Sequence, residues 1–448
     1  MTVCAVRPGT VQSERPGEGT DATADGRTAA PCPDGPAPAP AEAPADESPA
    51  DRPSPVLPPP PYRPLACVLS ADGGYAARLA SPGGTDRWCP ERWTLDGPEP
   101  YAVPLPGSQP EDPHSQVLPL ADGRVLILRR VDGRYRPSLL YPSGAGTGEV
   151  PLGTVDAAQL ALLPPAPDGR GGFALAAGAG TTVLWRLVGG DGPERVAVVP
   201  GLCTDGVWLD RDGRMLALNR RGDDGVVKAV VVDLGRGGAV SPLLEIAEGS
   251  NDRVLLADPD SGLLLVRSDA PGADRVGWGV LGSHRPVRFP EALHPPGATV
   301  TPFAAQPGQA LLPERCAVAL RVDGVPRADR PCDPALPWLA LWRPGWRAVS
   351  YVPAPHGWLR AGRFTAEGAL LLPYATPEVR CAVARLRPSG PPAAPRRAAH
   401  AAPRAAGPGD GGAAPSGRRA PGADTTPGPG PARRPVPLAQ APLAAAGR

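Results

Sequence analysis

The 448-residue chain carries 46 lysines and arginines against 45 aspartates and glutamates, a formal net charge of +1, which excludes a global field directed at nucleic acid or an acidic membrane. No apolar run reaches the roughly 20 residues that a membrane-spanning helix needs. The 66 prolines and 56 glycines signal low complexity when taken alone, but Lys228 is the only lysine, Asn219 and Asn251 the only asparagines, and Ile127 and Ile246 the only isoleucines, so part of that excess is codon bias.

The first segment, residues 1–61, holds nine acidic side chains against four arginines and runs through "PCPDGPAPAPAEAPADESPADRPSP" without periodicity. It reads as a disordered acidic arm, because it has too little apolar surface to offset its ordering entropy. It begins without a charged region followed by an apolar one, so no secretory signal is expected and the protein is expected in the cytoplasm. The 9 tryptophans, 7 tyrosines and 4 phenylalanines all lie between Tyr62 and Tyr374, which places the packed core at residues 62–388.

Within that span one phrase recurs. A polar or acidic residue followed by glycine separates two apolar segments at "CVLSADGGYAARLA", "QVLPLADGRVLILRR", "LLPPAPDGRGGFALAA", "WLDRDGRMLALNR" and "LLADPDSGLLLVRS", with weaker copies at "PFAAQPGQALLP" and "GRFTAEGALLLPY". The turn glycines are Gly73, Gly123, Gly169, Gly213, Gly262, Gly308 and Gly368, with successive gaps of 50, 46, 44, 49, 46 and 60 residues. Asp-Gly between apolar runs is a hairpin signal, because glycine supplies the positive φ a tight turn needs. A second hairpin follows each of the first six, from "RWTLDGPEPYAVPL" to "LALWRPGWRAVSYV", where Pro344 and Gly345 fit the central positions of a type II turn.

Each unit is therefore four antiparallel strands at a spacing in the forties, the period of a β-propeller blade. Seven units predict an all-β, seven-bladed β-propeller, since a ring of sheets buries faces that one sheet leaves exposed. The seventh unit lacks a fourth strand before the proline-rich tail. "SPVLPPPPYRPL", just ahead of the first unit, is a candidate to supply it at an edge, where proline is tolerated. Residues 389–448, with eight arginines against Asp410 and Asp424, read as a disordered basic tail.

The phrase "WLDRDGRMLALNRRGDDGVVKAVVVDL" resembles the repeat of TolB-like propellers, whose blades carry a Pro-Asp-Gly type turn between their first two strands. The third strands also resemble those of WD-repeat propellers, with Trp185–Arg186, Val232–Asp233 and Trp342–Arg343 at the position of the Trp-Asp pair. The resemblance covers roughly residues 65–388 and implies a fold. It implies no single activity, because propellers host scaffolds, ligand binders and enzymes.

Motifs for chemistry are sparse. There is no G-x-S-x-G elbow, so the hydrolase domain that accompanies TolB-like propellers in the prolyl oligopeptidase family is not expected. H-E-x-x-H and C-x-x-C are absent too, and His114, His284, His294, His356 and His400 all sit in loop-like contexts, so no metal and no cofactor are expected. Trp338, Trp342 and Trp346 read as packing between blades, with an exposed aromatic platform as the alternative.

The sixth unit is the longest. Its excess is assigned to "ERCAVALRVDGVPRADRPCDPALP", as a loop between the second and third strands, on the face opposite the Asp-Gly turns. Long loops on a rigid scaffold tend to carry function. That face, with Arg134, Arg136, Asp223, Asp224, Asp269, Asp274, Arg327, Asp329 and Arg330, is the expected binding surface. Cys316 and Cys332 fall in the same segment and are expected as free thiols in a reducing cytosol, with a bridge between them in an oxidising compartment as the alternative. The arginine pairs of the tail lack interleaved aromatics for base stacking. The sequence thus predicts a monomeric, non-catalytic interaction module with a protein partner rather than nucleic acid. An enzyme or small-ligand binder with carboxylates such as Asp223, Asp269 and Asp274 at the channel mouth is the alternative.

Overall fold

The computed structural model describes residues 67–387, apart from 82–86, 145, 311 and 325–337. The two arms, the segment 54–65 expected to complete the last blade, and Cys332 lie outside the described residues. The described chain is a seven-bladed β-propeller. Blade 1 holds β1 (Val68–Leu69), β2 (Tyr75–Ala80), β3 (Cys89–Thr94) and β4 (Tyr101–Pro104). Blade 2 holds β5 (Gln116–Pro119), β6 (Val125–Val131), β7 (Arg134–Ser143) and β8 (Gly146–Pro151), and blade 3 holds β9 (Gln159–Leu162), β10 (Gly172–Ala177), β11 (Thr181–Val188) and β12 (Glu194–Pro200). Blade 4 follows with β13 (Leu202–Trp208), β14 (Met215–Arg221), β15 (Val227–Asp233) and β16 (Ala239–Leu244), then blade 5 with β17 (Asp252–Asp258), β18 (Leu263–Ser268) and β19 (Arg275–Val280). Blade 6 comprises β20 (Thr299–Ala305), β21 (Val318–Asp323), β22 (Trp338–Trp342) and β23 (Ser350–Pro353), and blade 7 comprises β24 (Arg363–Phe364), β25 (Leu370–Tyr374) and β26 (Ala382–Leu386).

Every pairing is antiparallel and follows chain order, so turns alternate between two faces of the ring. First strands of neighbouring blades touch, as β5 does β9 and β17 does β20, which puts them around the axis. In blade 5 the fourth position is reduced to a single bridge, Trp278 to Arg288. Pro286 and Pro290 bracket it, and proline withholds ladder donors.

The second strands explain the ring. In β14, Leu216 and Leu218 pack toward blade 3 while Ala217 packs toward blade 5. In β18, Leu264 and Val266 face blade 4 while Leu263 and Leu265 face blade 6. Successive strand side chains point to opposite faces, and here both faces are covered, so the strand reads as an unbroken apolar run. Hydrophobic clusters occupy all seven seams between neighbouring blades, the seam of blades 7 and 1 included. Each fully buried leucine there contributes about 1.5–3 kcal/mol.

All seven turn glycines have positive φ, between 66° and 84°. The adjoining aspartates fix the turn: Asp72 Oδ1 accepts from Gly74 N at 3.1 Å, Asp122 Oδ1 from Arg124 N at 3.0 Å, and Asp168 Oδ1 from Arg170 N at 2.9 Å. A short carboxylate that captures a backbone N–H two residues on is what selects Asp before Gly.

Two expectations are corrected. The segment assigned to a long second-to-third loop of the sixth unit contains β21, paired in register with β20 and β22. Val318, Ala319, Leu320 and Val322 are all buried. Part of the excess length therefore falls at residues 306–317, on the Asp-Gly face, and the rest lies between β21 and β22, mostly outside the described residues. The Pro344–Gly345 turn is not type II, because Gly345 is absent from the positive-φ glycines. Instead Trp346 N donates to Arg343 O at 2.8 Å and Gly345 N to Glu314 O at 3.0 Å, so the turn is docked against the 306–317 segment. Trp342 is fully buried and meets Trp278 edge-on at 6.4 Å, and Trp338 and Trp346 pack on the same cluster. This is packing between blades 5 and 6.

Candidate functional site

The two faces of the ring differ. On the Asp-Gly face neighbouring turns use up one another's polar groups. Ala121 N donates to Gly169 O at 2.8 Å, linking blades 2 and 3. Arg211 of blade 4 clasps Asp260 of blade 5, which also accepts from Gly308 N of blade 6. Gln306 Nε2 of blade 6 donates to Ala366 O of blade 7 at 3.0 Å, and Arg363 Nη1 of blade 7 to Asp72 O of blade 1 at 2.9 Å.

The opposite face holds the expected binding residues. Asp223 and Asp224 are exposed in the β14–β15 loop. Asp224 Oδ1 accepts from Val226 N at 3.0 Å, so it shapes its own turn, while Asp223 makes no hydrogen bond or ion pair among the described residues. Asp274 is exposed and pairs with Arg267 at 3.0 Å, and Arg267 reaches on to Val300 O of blade 6 at 2.6 Å. Asp269 accepts from Asn251 N at 2.8 Å and Asn251 Nδ2 at 2.7 Å. The Asn251 side chain thereby holds the Asp269 carboxyl below the usual range. These four carboxylates lie on adjacent blades. Arg134 and Arg136 do not join them. They stand in blade 2 on the far side of blade 3, in loose ion pairs with Asp156 at 4.0 Å and Asp132 at 3.8 Å. Arg327, Asp329 and Arg330 lie outside the described residues.

Beneath the blade 4 and 5 loops is a polar seam. Lys228 Nζ donates to Asp252 Oδ2 at 2.8 Å and to Ala247 O at 2.5 Å. Asp252 is fully buried and also accepts from Ile246 N at 2.9 Å and Ser268 Oγ at 2.6 Å, while Ser250 Oγ donates to it at 2.8 Å. Asn251 Oδ1 accepts from Val227 N at 3.1 Å. Closer to the axis, Asn219 Oδ1 accepts from Val254 N at 2.8 Å and its Nδ2 donates to Val254 O at 3.1 Å, so the side-chain amide stands in for a missing strand partner between blades 4 and 5. The one lysine and both asparagines of the chain are thus gathered at a single seam. A buried carboxylate needs a cation and full hydrogen bonding, and an amide that must both give and accept cannot be replaced by the residues this composition favours. Sequence reasoning missed these residues, although their rarity was the available signal.

No family model matches the chain, and no curated protein sequence matches it. Among solved structures it is similar to a puromycin-hydrolyzing peptidase of Mycobacterium tuberculosis, at 14% identity and a TM-score of 0.47 over 73% of this chain and 53% of that one. TolB from Acinetobacter baumannii is similar at 12% identity and a TM-score of 0.37, covering 70% of this chain and 80% of that one. An acylaminoacyl peptidase of Pyrococcus horikoshii is similar at 10% identity and a TM-score of 0.42, covering 70% and 49%. The chain spans about half the length of either peptidase.

The seam's polar groups are turned inward on one another, Lys228 on Asp252 and Ala247, Asn251 on Asp269 and Asn219 on Val254. Its Ser250 hydroxyl is buried, donating to Asp252 and accepting from Ala247 N at 3.1 Å, which suits a brace better than a nucleophile. Among the described residues no group of three or more His, Cys, Asp or Glu side chains is placed to hold a metal ion. No helix among the described residues is long and apolar enough to cross a membrane.

Proposed function

We propose that this propeller is a protein-interaction module that presents the second-to-third loop face of blades 4 and 5 to a protein partner. The observation that carries the reading is the asymmetry of the two faces. On the Asp-Gly face the turns of neighbouring blades bond to one another, whereas the opposite face offers Asp223, without a partner among the described residues, beside the turn-forming Asp224 and the Arg267-paired Asp274, on loops braced from below by the Lys228 seam. A rigid scaffold under exposed loops is the arrangement that makes a surface specific at low ordering cost. A propeller fold commonly serves in this way, and a cytoplasmic, monomeric protein is part of the proposal.

The test is affinity capture with the full chain, followed by cross-linking to map the contact. Two variants are compared: Asp223→Arg with Asp224→Arg on the loop face, and Asp122→Arg with Asp212→Arg on the turn face. Loss of a captured protein only with the first pair supports the reading. Retention with the first pair, or loss only with the second, overturns it.

A further inference from the structure

The inner strands of blades 4 to 7 are interrupted and those of blades 2 and 3 are not. The register of β13 breaks between Thr204 and Val207, that of β17 between Val254 and Leu256, and that of β20 between Pro302 and Ala304. In blade 7 the inner segment pairs at Trp358 with Tyr374 and again at Arg363 with Leu371, so four residues oppose two in between. Bulges re-aim side chains. At Leu255 and Phe303 the result is packing: Phe303 lies 5.3 Å from Trp358, and Leu255 joins the seam of blades 5 and 6.

At the other two bulges the residue is charged and exposed. Asp205 has φ 57° and Arg360 has φ 58°, a conformation that favours glycine and costs a side chain of ordinary bulk roughly 1–2 kcal/mol. Both occupy the same place in their repeats, eight residues before the turn glycines Gly213 and Gly368. Asp205 lies within β13 and Arg360 in the bend between the Trp358 bridge and β24, each on the inner segment of its blade. Their neighbours in sequence are covered by adjoining blades, Cys203 against blade 3 and Leu359 and Ala361 against blade 1, while Asp205 and Arg360 themselves stay exposed. Blades 4 and 7 are three steps apart in a ring of seven, the greatest separation it allows.

The two charges are also uncompensated. The Arg360 guanidinium makes no hydrogen bond or ion pair among the described residues. Among the described residues Asp205 uses only Oδ2, which accepts from Thr204 Oγ1 at 3.2 Å and Asn219 Nδ2 at 3.3 Å, and its Oδ1 has no partner there. Asn219 ties that carboxylate to the blade 4 and 5 seam and fixes its position.

We propose that the channel binds a small zwitterion lengthwise across the axis, its ammonium on Asp205 and its carboxylate on Arg360. The guanidinium fork suits a carboxylate, and a carboxylate with a free oxygen suits an ammonium. Neither charge alone would select such a ligand. Selection comes from the fixed separation of the two, so a molecule with both charges at the matching spacing is preferred over one with either.

The experiment is calorimetric titration of the full chain with glycine, 4-aminobutyrate, 6-aminohexanoate and 8-aminooctanoate, and with the alkylamine and fatty acid of each length. The expected result is one chain length that binds at least about tenfold more tightly than its singly charged analogues. Arg360→Gly and Asp205→Gly should abolish that preference while leaving the melting temperature unchanged or raised, because glycine accepts the positive φ. Should either glycine variant fail to fold, Arg360→Gln and Asp205→Asn replace them, with the same loss of preference expected. Binding without length dependence, no binding by any of the four, or a preference that survives loss of the Arg360 charge overturns the proposal.

Discussion

The backbone N–H of Cys67 donates to the carbonyl of Leu359 at 3.1 Å, joining the start of blade 1 to the inner segment of blade 7. Cys67 and Leu359 are both buried, and Ala76, Trp93 and Cys381 pack with them. On the Asp-Gly face the same seam is tied by Arg363, which reaches Asp72 O at 2.9 Å and Asp96 at 3.4 Å. The ring is therefore closed among the described residues by the Cys67–Leu359 backbone bond, by side-chain packing and by Arg363.

That closure makes one turn glycine more sensitive than its equivalents. A Cβ on Gly73 would stand 2.2 Å from Arg363 Cδ, whereas one on Gly308 meets nothing within 4 Å. Both have positive φ, 71° and 77°. Gly308→Ala should cost only the backbone strain, about 1 kcal/mol. Gly73→Ala adds displacement of the Arg363 clamp and should cost clearly more. Denaturant unfolding of both variants checks the order, and equal losses would show that Arg363 does not hold the seam.

Lys228→Met should destabilise the protein by about 3 kcal/mol, the lower end for breaking a buried ion pair. Asp252 is left without its cation but keeps the bonds from Ile246 N, Ser250 and Ser268. Lys228→Met with Asp252→Leu should recover part of that loss. The four proteins form a double-mutant cycle read by urea unfolding, and additive losses would show that the two residues do not act as a pair.

Asp260 supplies a pH dependence. The Arg211 hydrogen bond, joined by Gly308 N, holds its carboxyl below the usual range. A depressed folded pKa contributes stability that is present above the unfolded value of about 3.9 and lost as the pH falls through the folded value. The difference in melting temperature between the native protein and Asp260→Asn should be full at pH 7. It should vanish once the pH drops below the lowered Asp260 pKa. A difference that grows as the pH falls through that window would contradict the assignment.

Burial pushes the thiols of Cys67 and Cys316 up to about 12. At pH 8 only about one molecule in ten thousand carries either thiolate, and the thiolate is the nucleophile. Iodoacetamide should leave both residues unmodified in the folded protein and modify both in denaturant, as peptide mass mapping would show. Rapid native labelling of Cys316 would mean that the 306–317 segment opens. The Cys316 Sγ rests 3.3 Å from Gln306 O, so a bridge to Cys332 would require the same opening.

The sequence alone determined the repeat, its count and its turns. Those are local quantities: a run of alternating faces, both buried, and a glycine where φ must be positive, as at all seven turn positions. It also determined that a face of loops would oppose the Asp-Gly turns, because antiparallel strands in chain order leave no other arrangement. It misplaced β21 because "CAVALRVD" follows a proline-interrupted apolar stretch, and which of two short apolar runs pairs with β20 is decided by register with a strand far along the chain. Only the tertiary structure showed that Lys228, Asn219 and Asn251 meet at one seam, and that Asp205 and Arg360 are exposed with positive φ on the inner segments of distant blades. Such relationships depend on how one blade sits against or across from another, and that geometry exists only once the ring has closed.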